Sequence, residues 1–340
     1  MKKLPKGRSG WLFLIARWVF IFLFVVVFVY HFENMPGDSY KGEVKPLSNN
    51  EKVLKAQLQN HIHILAETIG ERNMEYMDRL EETVVYIKDN LTRVGYEYVN
   101  LQEYQVRNRI VKNIEVEIKG QTLPQQIVVV GAHYDSVFGS PGANDNGTAV
   151  AALLEIAAFI RKTVPKRTVR FVFFVNEEPP FFETQQMGSR VYAKRAREAK
   201  EDIIAMFAMD TIGYYTDESG SQKYPSVLRF FYPDKGNFLA FTSNITSRHV
   251  LYKAIAIFRK STPLPSLGIA AFEWIPGVGW SDHWSFWKEG YPAILMTDTA
   301  PFRYKYYHTH VDTYDKIDYD RYCRVVLGIR EIVLEFLDNK

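Results

Sequence analysis

The 340-residue chain contains a single cysteine, Cys323. An intrachain disulfide is therefore impossible, and a zinc site built on thiolates is argued against. Any metal must be held by imidazole and carboxylate. Cys323 itself lies in an apolar helical pattern and reads as a small core residue. Charge of one sign is also lacking. The 42 Lys+Arg and 39 Asp+Glu leave a net charge of +3, and the charges are well mixed. No basic stripe marks a nucleic-acid footprint, and no nucleic-acid partner is expected. Internal repeats and low-complexity tracts are absent. No small-x-small cleavage site follows the N-terminal apolar run; His31-Phe-Glu-Asn-Met-Pro36 stands there instead. That argues against a removable signal peptide.

That run, Trp11 to Tyr30, has Arg17 as its only charge. A helix of about 20 residues spans about one hydrocarbon core, so the run reads as an uncleaved transmembrane anchor. Residues 1–10 carry Lys2, Lys3, Lys6 and Arg8 and no acid, which places this tail in the cytoplasm and the rest of the chain outside it. Residues 31–50, with Pro36, Gly37 and Pro46, read as a linker. Residues 51–340 are long enough for one large domain, and 47% of the chain is hydrophobic.

Within that domain, Glu51–Ile69 and Met74–Val94 show helical apolar spacing. Tyr96–Val106 and Ile110–Ile118 alternate like paired strands. Ile127–Val130, Val169–Val175 and Ile203–Met209 are fully apolar strand candidates, and Pro292–Thr297 is a fourth. Helices are expected after Asp145, with Asn146 and Thr148 as capping residues, over Ser189–Ala199 and over Asp318–Leu337. Residues 214–290, rich in Tyr, Phe, Trp and Gly, read as irregular and as the source of a specificity pocket. Strands alternating with helices predict a three-layer α/β/α sandwich around a largely parallel, mixed central sheet.

The three apolar strands each end in a group that can bind metal: His133, the pair Glu177-Glu178, and Asp210. Asp145 follows the first strand across a loop, and Tyr307-His308-Thr309-His310-Val311-Asp312-Thr313 follows the fourth. Taken singly these are weak signals. Together they bring carboxylates and imidazoles to one rim of one sheet, where ligands of open α/β sheets gather. Like charges held that close call for a cation. Oxygen and imidazole donors without thiolate suit catalytic zinc.

The segments His133-Tyr-Asp-Ser, Gly142-Ala-Asn-Asp-Asn-Gly, Asn176-Glu-Glu, Gly188-Ser-Arg, Met209-Asp-Thr-Ile-Gly, Ser281-Asp-His, Gly290-Tyr-Pro-Ala and Tyr307-His-Thr-His-Val-Asp-Thr resemble, in this order, the co-catalytic zinc aminopeptidases of peptidase family M28, the aminopeptidase Y type. The resemblance covers about residues 51–340 and implies a zinc-exopeptidase-like fold. It implies two zinc ions, one held by His133 and Asp210, the other by Glu178 and His308, with Asp145 bridging. It implies Asp135 as the residue orienting His133, Glu177 as general base and acid, and a cis peptide after Asp145. His308 is preferred to His310 because only His308 has Asp312-Thr313 at the family spacing. Asp282 and His283 match the substrate side. The implied activity is membrane-anchored, zinc-dependent removal of N-terminal residues from peptides with a free N-terminus. A glutaminyl-peptide cyclotransferase using one zinc and a non-catalytic peptidase-like ectodomain are the alternatives. Oligomeric state is not legible.

Overall fold

The computed structural model describes residues 8–224 and 232–338, with side chains of the first helix given for residues 10–23. The apolar run at Ile127–Val130 is the middle of strand β3 (Leu123–His133). Among the described residues it lies inside an eight-stranded sheet with β1 (Asn100–Val106), β2 (Arg109–Ile118), β4 (Arg167–Phe174), β5 (Asp202–Met209), β6 (Leu239–Ser243), β7 (Ser266–Ala270) and β8 (Ala293–Thr297). The spatial order is β1-β2-β4-β3-β5-β8-β6-β7. The four central strands β4, β3, β5 and β8 are mutually parallel. β2 runs antiparallel to β4, and β6 antiparallel to β8, so the sheet is mixed.

Both faces of the sheet are covered, and the strand residues alternate between two cores. Val128, Val130 and Ala132 join one cluster with the apolar faces of α2 (Asn49–His63), α3 (Met77–Arg93), α4 (Ala149–Ile160), α6 (Arg248–Ser261) and α9 (Tyr319–Asp338). Ile127 and Val129 join the other with α5 (Gly188–Glu198) and α7 (His283–Lys288). Val128, Val129 and Val130 are all fully buried. Full burial of such a side chain stabilises by about 1.5–3 kcal/mol on either face, which is why central parallel strands read as continuous apolar runs. The result is the α/β/α sandwich.

Two features differ from the pattern expected of the sequence. Residues 214–290 are not simply irregular: they contain β6, α6, β7 and α7, although 225–231 lie outside the described residues. Helix α6 places Val250, Leu251, Ala254, Ile255 and Phe258 in the core, a 3–4 residue spacing visible in the sequence. Asn146 and Thr148 do not cap α4. The Thr148 hydroxyl donates to the Asn144 carbonyl at 2.7 Å, and the Asn146 side chain donates to the Met209 carbonyl at 3.0 Å and accepts from the Thr211 amide at 3.1 Å. Both residues tie the loop to neighbouring backbone instead.

The N-terminal helix α1 spans Arg8–Glu33. Among the described residues no helix is long and apolar enough to cross a membrane. The tail 1–7 and the side chains of residues 24–30, part of the expected anchor, lie outside the described residues. Residues 34–48 lack regular structure but follow the domain surface. Met35 is buried in the larger core. Arg259 donates to the carbonyls of Met35, Pro36 and Gly37 at 3.2, 3.2 and 2.6 Å.

Candidate metal centre and active site

The parallel strands explain how the site assembles. β4, β3 and β5 are neighbours and end at one rim. His133 is the last residue of β3, Asp210 follows β5 directly, and Glu177-Glu178 lie just beyond β4. Asp145 reaches the same rim from the β3–α4 loop. His308 arrives from the loop after the short helix α8 (Ala300–Arg303).

Asp145 lies at the centre. Its Oδ1 is 3.5 Å from His133 Nε2 and its Oδ2 is 3.1 Å from His308 Nε2. Asp210 Oδ1 stands 3.6 Å from His133 Nε2, and Glu178 Oε2 is 3.2 Å from His308 Nε2. Three sets of donor atoms cluster within 4.8 Å: His133 with Asp145 and Asp210, His133 with Glu177 and Glu178, and Asp145 with Glu178 and His308. The first and third sets share Asp145. Glu177 Oε2 is 3.9 Å from His133 Nε2.

The Asp135 carboxylate accepts from the backbone amides of Glu177 and Glu178 at 3.2 and 3.1 Å. The His133 Nδ1 lies 3.1 Å from the Asp135 backbone carbonyl and 3.6 Å from its carboxylate. Asp135 thus links the end of β3 to the acidic pair beyond β4. Asp282 is fully buried, and neither carboxylate oxygen has a hydrogen-bond partner. His283 sits apart from the donor cluster: its Nε2 lies 2.8 Å from the Val278 carbonyl and its ring meets Trp287 edge-on. His310 is exposed.

The loop carrying Asp145 is clamped from several sides. The peptide Asp145-Asn146 is cis. Asp312 accepts from the amides of Asn144 and Asp145 at 2.9 and 3.1 Å, and from the Tyr304 hydroxyl at 2.7 Å. Asp298 accepts from the Asn144 side chain at 3.0 Å. Arg72, fully buried, donates to the carbonyls of Tyr134, Pro141 and Gly142 at 2.8, 2.6 and 2.8 Å, and to those of Leu65 and Gly70. It fastens the backbone between His133 and Asp135 to the start of the Asp145 loop. Arg72, Asp298 and Tyr304 had no motif to reveal them. The only hint for Arg72 was a charged residue in the short link between two helices.

The electrostatics are those of an acidic cluster short of positive charge. Burial, with Asp210, Glu178 and Asp282 nearby, raises the Glu177 carboxyl well above its ordinary range, against the opposing effect of His133. Burial and Asp145 push Glu178 up to about 8. Asp282 rises to about 7, chiefly by burial. Burial disfavours the charged form of His133, but Glu177, Asp135, Asp145 and Asp210 outweigh it and hold its pKa well above the usual value. His308 is raised to about 10: burial works against this, and Asp145 and Glu178 overcome it. His283, buried with only the Val278 carbonyl, falls to about 4.

The residues fit a bound metal. His133 Nε2, His308 Nε2 and Glu178 Oε1 are buried without a hydrogen-bond partner. Orphaned buried donors and acceptors are rare in native proteins unless something unseen satisfies them. Here they point into a carboxylate–imidazole set, the donor chemistry of catalytic zinc.

The profile of peptidase family M28 matches residues 113–333. The chain belongs to this family. The protein YfbL of Escherichia coli K12 is 33% identical over 319 residues, covering 91% of this chain and 96% of that protein. An aminopeptidase of Pseudomonas aeruginosa PAO1 is 43% identical over 91 residues, 26% of this chain and 16% of its own length. The match thus spans only a small part of either protein. A zinc aminopeptidase of Bacillus subtilis shares the fold, with TM-score 0.67 and 16% identity over 84% of this chain and 95% of that one. So does a glutaminyl cyclase of Fimbriiglobus ruber, with TM-score 0.61 and 16% identity over 87% of this chain and 97% of that one. The likeness in fold alone therefore does not choose between the two chemistries.

Proposed function

We propose that this M28 protein is a zinc-dependent aminopeptidase working with two zinc ions. The observation that carries the reading is Asp145, whose two carboxylate oxygens face the imidazoles of His133 and His308 separately. That arrangement suits a carboxylate shared by two metals. His133 and Asp210 would complete one site, and Glu178 and His308 the other. Zinc held by these residues would supply polarisation of a substrate carbonyl and a water of lowered pKa.

Glu177 supplies the proton transfers. Its carboxylate belongs to the donor set of His133 and Glu178 but is not needed to complete either of the two sites that share Asp145. It takes the proton from the attacking water and returns it to the leaving amine. A buried carboxyl whose pKa is raised from its ordinary range suits that exchange, because its carboxylate is a stronger base than a solvated one. Asp135, through the amides of Glu177 and Glu178, keeps the base in place. A free α-amine is matched by the negative charge of the cluster. A cavity of about 50 Å3 begins at Asp210 and is walled by Leu295, Trp280, Phe302 and Tyr307. It fits an apolar N-terminal side chain, with Trp280 drawn from the aromatic stretch.

The test compares hydrolysis of leucine anilide with cyclisation of an N-terminal glutaminyl peptide by the zinc-loaded protein. Anilide hydrolysis is expected. Pyroglutamate formation without hydrolysis would instead assign the cyclotransferase chemistry.

The reading extends to a membrane-anchored enzyme, N-terminus in the cytoplasm and domain outside it. It is supported by the single charge in Trp11–Tyr30 and by large apolar side chains left in the open, among them Phe13, Trp18, Phe20 and Phe22, all more than 60% exposed. Exposed apolar surface of that extent calls for a covering phase. The full chain should resist carbonate extraction from membranes, and a chain starting at residue 34 should be released. Release of the full chain would sink the anchor.

A further inference from the structure

A second cavity meets the same acidic cluster from the other flank. It has a volume of about 360 Å3 and reaches from Asp135 and Glu178, at its inner end, to Arg107 and Phe181 at its mouth. Two elements build that mouth. The β1–β2 hairpin turns through Arg107, whose backbone is left-handed with φ 54°. The chain beyond Glu178 contributes Pro179, Pro180 and Phe181. They meet where the Arg107 guanidinium lies over the Phe181 ring, 5.6 Å from its centroid, a cation–π distance.

Arg107 is the only cation among the described residues lining this cavity. It is exposed, and no carboxylate pairs with it among the described residues. Of the acids nearby, Asp135 is bound to backbone amides and Glu178 faces His308; Glu75 lies across the cavity and is exposed. Asn176 also lines the space, and its buried Nδ2 donor has no hydrogen-bond partner.

An enzyme that removes one residue must hold that residue on one side of the scissile bond and the remaining peptide on the other. The aromatic cavity beside Asp210 is the smaller of the two and suits a single side chain. The larger one, with an available guanidinium, suits a leaving peptide. We propose, resting on the aminopeptidase reading, that this cavity binds the leaving portion of short peptides and that Arg107 pairs with their free C-terminal carboxylate. A guanidinium is the group best shaped to grip a carboxylate with two hydrogen bonds.

The test uses the zinc-loaded full chain with three substrates: Leu-Gly-Gly, its C-terminal amide, and leucine anilide. For the wild type, KM for the free acid should be about tenfold below that for the amide, the size of one hydrogen-bonded charge contact. In Arg107→Ala, KM for the acid should rise about tenfold with kcat unchanged, while amide and anilide are unaffected. Arg107→Lys should recover part of the difference. Equal KM for acid and amide in the wild type overturns the proposal, as does an equal loss on both peptides in Arg107→Ala. No hydrolysis of any of the three substrates would overturn the aminopeptidase reading itself, and this proposal with it.

Discussion

Replacing Arg72 with methionine keeps an apolar stem but removes a donor from five backbone carbonyls; Leu65 and Gly142 keep the amides of Gly70 and Gly147, so the carbonyls of Gly70, Tyr134 and Pro141 are left unpaired. An unsatisfied buried polar group costs about 1–3 kcal/mol. The three losses do not add in full, because the loop shifts and water enters, so a total of about 4–5 kcal/mol is expected, at the upper end for a single substitution. At about 2–4 °C per kcal/mol for a domain of this size class, melting should fall by about 10 °C or more. Lysine is the informative control. It keeps the charge, but one ammonium cannot span carbonyls that a guanidinium reaches with three nitrogens, so Arg72→Lys should lose most of the same stability. The charge alone contributes less, since burial already lowers the Arg72 pKa to about 10 against the attraction of Asp312, Asp135, Asp145 and Glu178. Both variants should also bind zinc more weakly, because the Asp145 loop hangs from Pro141 and Gly142. Urea denaturation read by circular dichroism, with a zinc titration in parallel, measures both. A loss under about 1 kcal/mol with unchanged zinc affinity would refute the role given to Arg72.

Two further outcomes are expected. Glu177→Gln should retain zinc but lose hydrolysis by about 10²–10⁴-fold, the usual contribution of a general base; full activity would remove Glu177 from that role. In zinc-free protein, Glu178 and Asp282 have folded pKa values raised to about 8 and about 7. The folded state then binds more protons than the unfolded one, so the stability these groups contribute is fully present below the ordinary carboxylate range and is lost as pH rises towards 8. His308, raised to about 10, acts in the same direction above its ordinary value. His283, lowered to about 4 by burial, acts oppositely, and only as pH falls from its ordinary value towards 4. Melting of the chelated protein should therefore decline between pH 6.5 and 8, and zinc should abolish the decline. A flat or rising apo profile would contradict the charge accounting.

The strand ends were the most legible part of the chain. Val128 to Val130 must be apolar because both sheet faces are covered, and the parallel order of β4, β3 and β5 follows from alternation with helices. His133, Glu177-Glu178 and Asp210 therefore meet for reasons present in the sequence. The clamps on the Asp145 loop were not legible. Arg72 acts through backbone carbonyls far away in sequence, which no motif records. Asn146 and Thr148 looked like helix caps, because a short polar residue before a helix normally bonds its first turn; here the loop turns sharply and both side chains are taken by Asn144, Met209 and Thr211. Helix α6 was legible but masked by the aromatic composition around it. Its Val250, Leu251, Ala254 and Ile255 carry the helical period that the surrounding Tyr, Phe and Trp residues obscure.

The measurement that tests the two-metal centre most directly is zinc stoichiometry, by mass spectrometry of the native protein, in wild type, Asp145→Asn and His133→Ala. Two ions per chain are expected in the wild type. Asp145→Asn should weaken both sites together, and His133→Ala should lose one ion and keep the other. One ion in the wild type, or loss of only one ion in Asp145→Asn, would contradict a shared carboxylate at Asp145.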